Sequence, residues 1–469
     1  MVKYTATIGM EVHAELKTKS KMFCGCKNDP HASEPNSNIC PVCMAHPGTL
    51  PTVNKEAVLS MMKIGRAING ELADYSEFDR KNYFYPDIPK AYQLSQYQFP
   101  FVAGGDIAGV EITRVHLEED TARSQHDQGD KSLVDYNRAG VPLMEMVTEP
   151  VIHDAKTAVN FAKELQLLLR TLDVSDANME KGEMRVEANI SISPDDSLGT
   201  KVEVKNLNSF KSVESAINYE LKRQAKMLEM GEKVVQETRG WDENKAKTFS
   251  QRVKESSDDY RYFPDPDIPK IKRTEMDEFE ESRIDDMLPI LPVFKREEMK
   301  NLGLTSEQVE IIIADNNIDS FFTKVVEAGL NDNALIKTAT NYLLSDMLGM
   351  LETSSNLEEA NAIGLIELVT LVKDGEINSR VAKDLLQEVV FEGQSAKKLA
   401  EDRGLIQNSS TEALNDLINQ VISENSSVVD EYKAGKEASL KYLVGQSMKL
   451  SKGAANPQML EQLLKEKLS

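Results

Sequence analysis

The sequence predicts an α+β fold: a domain built on an antiparallel sheet, then an all-helical domain, then a small helical tail. Three observations carry this reading. From Thr5 to Leu16, the residues Ala6, Ile8, Met10, Val12, Ala14 and Leu16 alternate with Thr5, Thr7, Gly9, Glu11, His13 and Glu15, the period of a half-buried strand. The same period returns in Met184–Ser193 and in Lys201–Lys205, each with one apolar and one charged face. Near Pro289–Pro292 the pattern changes to helical stripes separated by polar joints. A chain of 469 residues exceeds what one core can fill, and the divisions fall at 1–292, 293–400 and 401–469.

Bulk properties narrow the function. A formal charge of −22 excludes a surface that coats nucleic acid indiscriminately, so any RNA contact is local. No run approaches the ~18 apolar residues of a membrane span, and Met1 to Lys21 has neither signal nor transit character, which reads as soluble and cytoplasmic. All four cysteines lie between Cys24 and Cys43, and all six histidines (His13, His31, His46, His116, His126, His153) fall in the first third. Reactive groups are therefore concentrated at the N-terminal end.

The first strand places Glu11, His13 and Glu15 on one face, which is either solvated or the first piece of a metal-dependent site. Next come Cys24-Gly-Cys26 and Cys40-Pro-Val-Cys43, two knuckles joined by a loop rich in Asn, Pro and Ser. Four thiolates at this spacing can close a tetrahedral structural zinc site, and the alternative is four reduced thiols. His31 or His46 could replace a thiolate. Because four protein ligands leave no open position, such a zinc pins a loop and does not act on substrate.

Two later segments resemble each other: Lys81-Asn82-Tyr83-Phe84-Tyr85-Pro86-Asp87-Ile88-Pro89-Lys90 and Arg261-Tyr262-Phe263-Pro264-Asp265-Pro266-Asp267-Ile268-Pro269-Lys270. Their prolines exclude regular helix or central strand and leave ordered loops, either plain surface or a rim with rings to stack on a base. Between and beyond them, Val115–Asp120 adds Glu118, Glu119 and Asp120, and Leu143–Glu149 adds Glu145. The alternation slips near Thr113-Arg114, which leaves the sides of Glu118 and Glu119 open; the reading adopted sets Glu119 beside Glu11.

In Met184–Ser193 the charged face holds Arg185, Glu187 and Asn189, and in Lys201–Lys205 it holds Lys201, Glu203 and Lys205. Turns at Pro194-Asp195-Asp196 and Gly199 join such strands antiparallel. The stripes Ala158, Phe161, Leu165, Leu168, Leu172 and Val213, Ala216, Ile217, Leu221, Leu228 predict helices covering the apolar face. Acids for Mg²⁺ beside cations for phosphate oxygens are what phosphoryl transfer requires. No GxxxxGK[ST] run exists and Gly104-Gly105-Asp106 lacks dinucleotide-loop spacing, so a nucleotide would lie on an open sheet.

In the C-terminal third, Val381, Ala382, Leu385, Leu386, Val389 and Val390 form a core stripe with Ser379 as its candidate cap. Leu414, Leu417, Ile418 and Val421 begin another helix after a turn at Asn408–Ser410. From Lys433 to Lys452, five lysines stand against one acid, Glu437. At helix ends and turns they are either a solvated face or a set of phosphate contacts.

Taken in order, Gly9-Met10-Glu11-Val12-His13, Lys81-Asn82-Tyr83-Phe84-Tyr85-Pro86-Asp87, His116-Leu117-Glu118-Glu119-Asp120, Ala188-Asn189-Ile190-Ser191, Lys205-Asn206-Leu207-Asn208-Ser209-Phe210 and Asp259-Tyr260-Arg261-Tyr262-Phe263-Pro264 resemble the motifs of the B-subunit family of aspartyl/glutamyl-tRNA(Asn/Gln) amidotransferases. The four cysteines match its zinc-containing branch, and Glu187 stands where many members have Asp. The resemblance implies a cradle-like sheet similar to that of glutamine synthetase. It also implies ATP-dependent phosphorylation of the side-chain carboxylate of Glu on tRNA(Gln) or Asp on tRNA(Asn), followed by amidation with ammonia. Carried over, Glu11, His13, Glu119 and Glu145 become catalytic and Mg²⁺-ligand candidates, with Glu203 as a further ligand. Lys81, Tyr83, Lys205 and Asn206 become substrate or nucleotide contacts, and Lys436, Lys449 and Lys452 become tRNA contacts. The chain offers no glutaminase nucleophile outside its cysteine cluster. The resemblance therefore implies two partners, an amidase-type glutaminase subunit and a small third subunit. A free-standing carboxylate-amine ligase and an inert tRNA-binding scaffold are the rival expectations.

Overall fold

The computed structural model describes residues 4–128, 131–195, 197–253, 260–330, 332–351, 356–406, 411–451, 455 and 457–468. The chain divides into two compact units, Met1–Pro292 and Val293–Ser469. No helix among the described residues is long and apolar enough to cross a membrane.

The first unit is α+β. Its principal elements, in chain order, are Thr5–Glu15 (β1), Lys55–Ala67 (α1), Asp79–Asn82 (β2), Tyr92–Ser95 (β3), Val110–Glu119 (β4), Pro142–Thr148 (β5), Ala155–Thr171 (α2), Met184–Ser193 (β6), Val202–Leu207 (β7), Phe210–Glu229 (α3), Glu237–Asp242 (β8) and Lys247–Val253 (β9). One large sheet runs β9-β8-β7-β6-β1-β5-β4, then Val102–Ala103 and Glu71–Leu72, with Asp106–Ile107 also paired to β4. The first strand is thus central, flanked on both sides by antiparallel partners.

The expectation of a purely antiparallel sheet is corrected at one place. Strands β7 and β8 pair in parallel, so the sheet is mixed. The physical reason lies in the connection: α3 spans 20 residues between them, and a crossover of that length returns the chain to the end it left. Every other pair in this sheet is antiparallel.

The apolar parity predicted for β1 holds, since Ile8, Met10, Val12 and Ala14 are buried while Glu11 and His13 point the other way. Helix α2 starts where Asp154 accepts from the Thr157 amide, and it buries Ala158, Phe161, Ala162, Leu165 and Leu169. These side chains share one core with α1, α3 and the apolar sheet face, and each large one contributes about 1.5–3 kcal/mol. Helix α3 departs from its predicted stripe after Ile217. Glu220 and Gln224 turn inward, while Leu221 and Leu228 stay half-buried. Glu220 is tolerated there because Arg223 and the Thr248 hydroxyl hydrogen-bond to it and Arg239 lies near it.

The second unit contains only helices among its described residues. Ser379 proves to be the first helical residue of Ser379–Leu386. The cap is Asn378, whose side chain accepts from the amides of Arg380 and Val381. Leu414, Ile418, Val421, Leu440, Leu443, Leu460 and Leu464 form a core of their own. The predicted turn at Asn408–Ser410 lies outside the described residues, as do Asp196, Lys452 and Gly453.

Candidate active site

The open face of the sheet gathers charge because the ladder sets polar residues opposite one another. Glu11 faces Glu187 on β6; His13 faces Glu145 on β5; Glu145 in turn faces His116 on β4. His13 Nε2 lies 3.3 Å from Glu145, 3.9 Å from Glu11 and 3.9 Å from Glu118. His116 Nε2 reaches the same Glu145 oxygen at 3.3 Å. Two sets of metal-type donors result, Glu11–His13–Glu187 and His13–Glu118–Glu145, each with ligand atoms within 4.8 Å of one another. His13 belongs to both.

The electrostatics describe a site rich in anions. Burial, and then the charges of Glu145 and Glu187, push Glu11 up to about 7. Burial opposes the His13 cation, but the hydrogen bond and charge of Glu145 outweigh it and push His13 up to about 9. Burial likewise opposes the Glu145 carboxylate, yet His116 and then His13 hold it well below the usual carboxylate range. Glu118 Oε2 and His116 Nδ1 are buried with no hydrogen-bond partner among the described residues. An orphaned carboxylate oxygen among crowded carboxylates is the arrangement that a hard divalent cation satisfies.

Cations border this cluster. Lys205 Nζ lies 2.7 Å from Glu187, and Glu187 and Glu203 raise its pKa against the effect of burial. Between Val186 and Ala188 the register with β7 slips, so that Lys205 and Asn206 both stand against Glu187. Asn206 takes the strained left-handed conformation there, with φ +65°. Lys81 is deeply set; burial opposes its charge, but Glu118 and Glu145 hold its pKa well above the ordinary lysine range. Its Nζ sits 5.4 Å from the Tyr260 ring centre, and Tyr83 donates to Gln93 at 3.0 Å.

The two tyrosine-proline segments turn out to be partners. Phe263 and Pro264 pair with Arg80 and Asp79 of β2, and Asn82 donates to the carbonyls of Tyr260 and Arg261. Tyr97 stacks on Tyr262 at 4.4 Å, and Tyr83 packs edge-on against Tyr260 at 5.8 Å.

Not every candidate converges. Glu119 points away from His13: its carboxylate takes Lys90 Nζ at 2.5 Å and the Leu94 amide at 2.9 Å. Glu118 is the residue turned to the site, because a bulge opposite Val147 and Thr148 shifts the parity of β4 near Thr113. Glu203 lies one strand further out, opposite Asn189, where it accepts from the Thr238 hydroxyl at 2.6 Å. Sequence reasoning passed over His116, although counting back two from Glu118 finds it. Glu15 neighbours Asp120, which Arg185 holds at 2.7 Å; burial and the Asp120 charge push Glu15 up to about 8.

The four cysteines do converge. Their sulfurs lie within 4.8 Å of one another, Cys40 and Cys43 at 3.8 Å, and none is in a disulfide. A tetrahedral metal with bonds of ~2.3 Å needs sulfurs roughly 3.8 Å apart, so the donor set fits a closed four-thiolate centre. The Cys40 amide also donates to Cys43 Sγ at 3.1 Å. Hydrogen bonding with Cys24 pulls Cys43 down to about 5, with Cys40 and Lys21 assisting against burial. Neither His31 nor His46 joins this group; His31 sits 3.3 Å from Glu183.

Residues 6–277, which carry both clusters, match the family model of the GatB/GatE catalytic domain, and residues 320–468 match that of the GatB domain. The chain belongs to the GatB/GatE family. Among curated relatives of this family, it is 44% identical over the full length of both chains to the B subunit of the aspartyl/glutamyl-tRNA(Asn/Gln) amidotransferase of Caldanaerobacter subterraneus subsp. tengcongensis. It is 41% identical to the corresponding protein from Picosynechococcus sp., over 99% of this chain and 98% of the other. With the one from Brevibacillus brevis it shares 41% identity over the whole of both chains. In this GatB/GatE chain, the catalytic-domain match therefore encloses the whole of the His13 site.

Proposed function

We propose that this chain is the component of a tRNA-dependent amidotransferase that activates the side-chain carboxylate of Glu on tRNA(Gln), of Asp on tRNA(Asn), or of both. The γ-phosphoryl of ATP passes to that carboxylate, and ammonia then displaces phosphate to leave the amide. The observation that carries the reading is His13, shared between two carboxylate donor sets on an open sheet face bordered by lysines. Glu11, Glu187, Glu118, Glu145 and His13 would hold Mg²⁺, whose chemistry is to neutralise phosphate charge and keep the reacting oxygens in line. Lys205 and Lys81 reach transferring phosphoryl oxygens from the rim, where a fixed cation stabilises the charge that spreads in the transition state. His13 positions the carboxylates around it, and Glu11, with a pKa pushed up to about 7, gains full charge when a cation arrives. Tyr83 and Asn206 border the space a nucleotide or aminoacyl end would occupy. Within this reading Glu119 is a positioning residue, and Glu203 stays outside the ligand set.

Cys24, Cys26, Cys40 and Cys43 hold a structural zinc ion that pins their loop. Ammonia comes from an amidase-type glutaminase partner, with a small third polypeptide completing a cytoplasmic heterotrimer. The second unit divides near residue 400, and its terminal part, with the separate core of residues 414–468, carries Lys436, Lys449 and Lys452 to tRNA phosphates.

The test combines the purified chain with ATP, Mg²⁺, ammonium and misacylated tRNA, alone and with its partner subunits. Amide and ADP are expected, and Glu11→Gln or His13→Ala should abolish both while tRNA affinity stays near wild type. Turnover on free glutamate or aspartate would point to a small-molecule ligase, and tRNA binding without ATP turnover to a scaffold.

A further inference from the structure

Lys21 is wholly enclosed, and no other lysine among the described residues is so completely shut off from solvent. Its Nζ donates to the carbonyl oxygens of Asn38 at 2.9 Å and Tyr136 at 3.2 Å, and it lies 4.0 Å from Cys43 Sγ. No carboxylate among the described residues pairs with it. A cation sealed away from water without a counter-charge is costly, so the nearby sulfur has to account for its presence. Four thiolates around a divalent ion carry a net double negative charge, which a single buried cation offsets in part.

The same side chain bridges two segments. Asn38 belongs to the cysteine loop, whereas Tyr136 opens the turn that leads through Gly140 into β5. The Met22 amide donates to the Gly140 carbonyl at 2.7 Å, and the Gly140 amide donates to the Asp120 carbonyl at 2.9 Å, just past the end of β4. Gly140 has φ +86°, and a Cβ there would stand 3.6 Å from Lys21 Cδ and 3.7 Å from Cys43 Cβ. The turn is thus seated directly against the lysine and the cysteine. The turn follows the strand Lys131–Asp135 and enters β5, and its Gly140 bonds to the residue that follows β4; those two strands, β5 and β4, carry Glu145 and Glu118.

We propose that Lys21 is a positioning residue: its charged head balances a metal ion held by Cys24, Cys26, Cys40 and Cys43 and ties that centre to the turn that leads into β5. The inference rests on the four-thiolate zinc reading and extends it to a residue outside the ligand set. Lys21→Gln keeps a hydrogen-bond donor and removes the charge. In the full chain, chelator competition should show zinc affinity about 10–100-fold below wild type, with an unchanged far-ultraviolet circular dichroism spectrum. A folded Lys21→Gln chain that holds zinc within about twofold of wild type overturns the role of Lys21 and leaves the zinc centre standing. A wild-type chain that binds no zinc overturns both. A second measurement uses no variant: zinc is removed from the wild-type chain and amide hydrogen exchange is followed. Exchange should rise in residues 136–141 together with residues 38–43, while α2 stays protected. A rise confined to residues 24–46 overturns the tie between the centre and the turn.

Discussion

Glu118 and Glu119 are chemically identical and adjacent, yet they have different surroundings. Glu118 faces His13 with one oxygen unpartnered among the described residues, and Glu119 is spent on Lys90 and the Leu94 amide. Replacing each by Gln separates the two roles. Glu118→Gln should lower ATP-dependent amide formation by about a hundredfold or more with little change in melting temperature. Glu119→Gln leaves Lys90 without its buried partner and should cost about 3 kcal/mol of stability in denaturant titrations. Equal loss of activity with no loss of stability in Glu119→Gln would sink this division. The sequence carried the clue in its slipped alternation at Thr113-Arg114, but a slip has no sign until the partner strand is known. Pairing of Arg114 with Val147 and of Ile112 with Thr148 supplies that sign.

At the scale of elements, helix α3 and the β8–β9 ribbon enclose a charged cluster that periodicity alone assigned to leucines. Glu237 pairs with Arg239 there and neighbours Arg223. Burial opposes the Glu237 carboxylate, but bonds from Ser250 and Arg239 hold its pKa below the ordinary value. A carboxyl whose folded pKa is depressed stabilises the fold above its unfolded pKa of ~4.5 and loses that contribution as pH falls through the folded value. Glu237→Gln should therefore be less stable than wild type by about 1 kcal/mol at pH 7, and the gap should close on acidification below pH ~4. A gap that widens toward acid would contradict the assignment. In the second unit, Asn378→Ala should cost about 1 kcal/mol, whereas Ser379→Ala should be nearly neutral, both read from thermal melts. Cap identity escaped the sequence because Asn and Ser are both good caps and stand next to each other. Only the backbone, extended at Asn378 and helical from Ser379, distinguishes them.

Across the whole molecule, the acidic composition makes the lysines from Lys433 to Lys452 conspicuous. Lys433 closes one helix, Lys449 lies in the last turn of another, and Lys436 pairs with Glu431 at 2.8 Å. Alanine at Lys436, Lys449 and Lys452 together should weaken tRNA binding and lower the slope of log affinity against log salt by about 2–3. An unchanged slope would remove these residues from the interface. Some of this protein was determined by sequence alone. The period of two in Thr5–Leu16 gave β1 its faces, clustering of the cysteines marked their loop, and helical stripes such as Ala158, Phe161 and Leu165 located α2. Each of these is a local rule in which a residue's neighbours along the chain decide its side. What lay beyond sequence was every feature set by a partner distant in the chain. The parallel return of β8 depends on where α3 lands, and the choice of Glu118 depends on the register of β4 against β5. His13 is shared between two donor sets because β1 lies between β5 and β6. Lys21 is enclosed because the cysteine loop closes over it. Periodicity assigns a face, but only pairing between strands far apart in the chain decides which groups on that face meet.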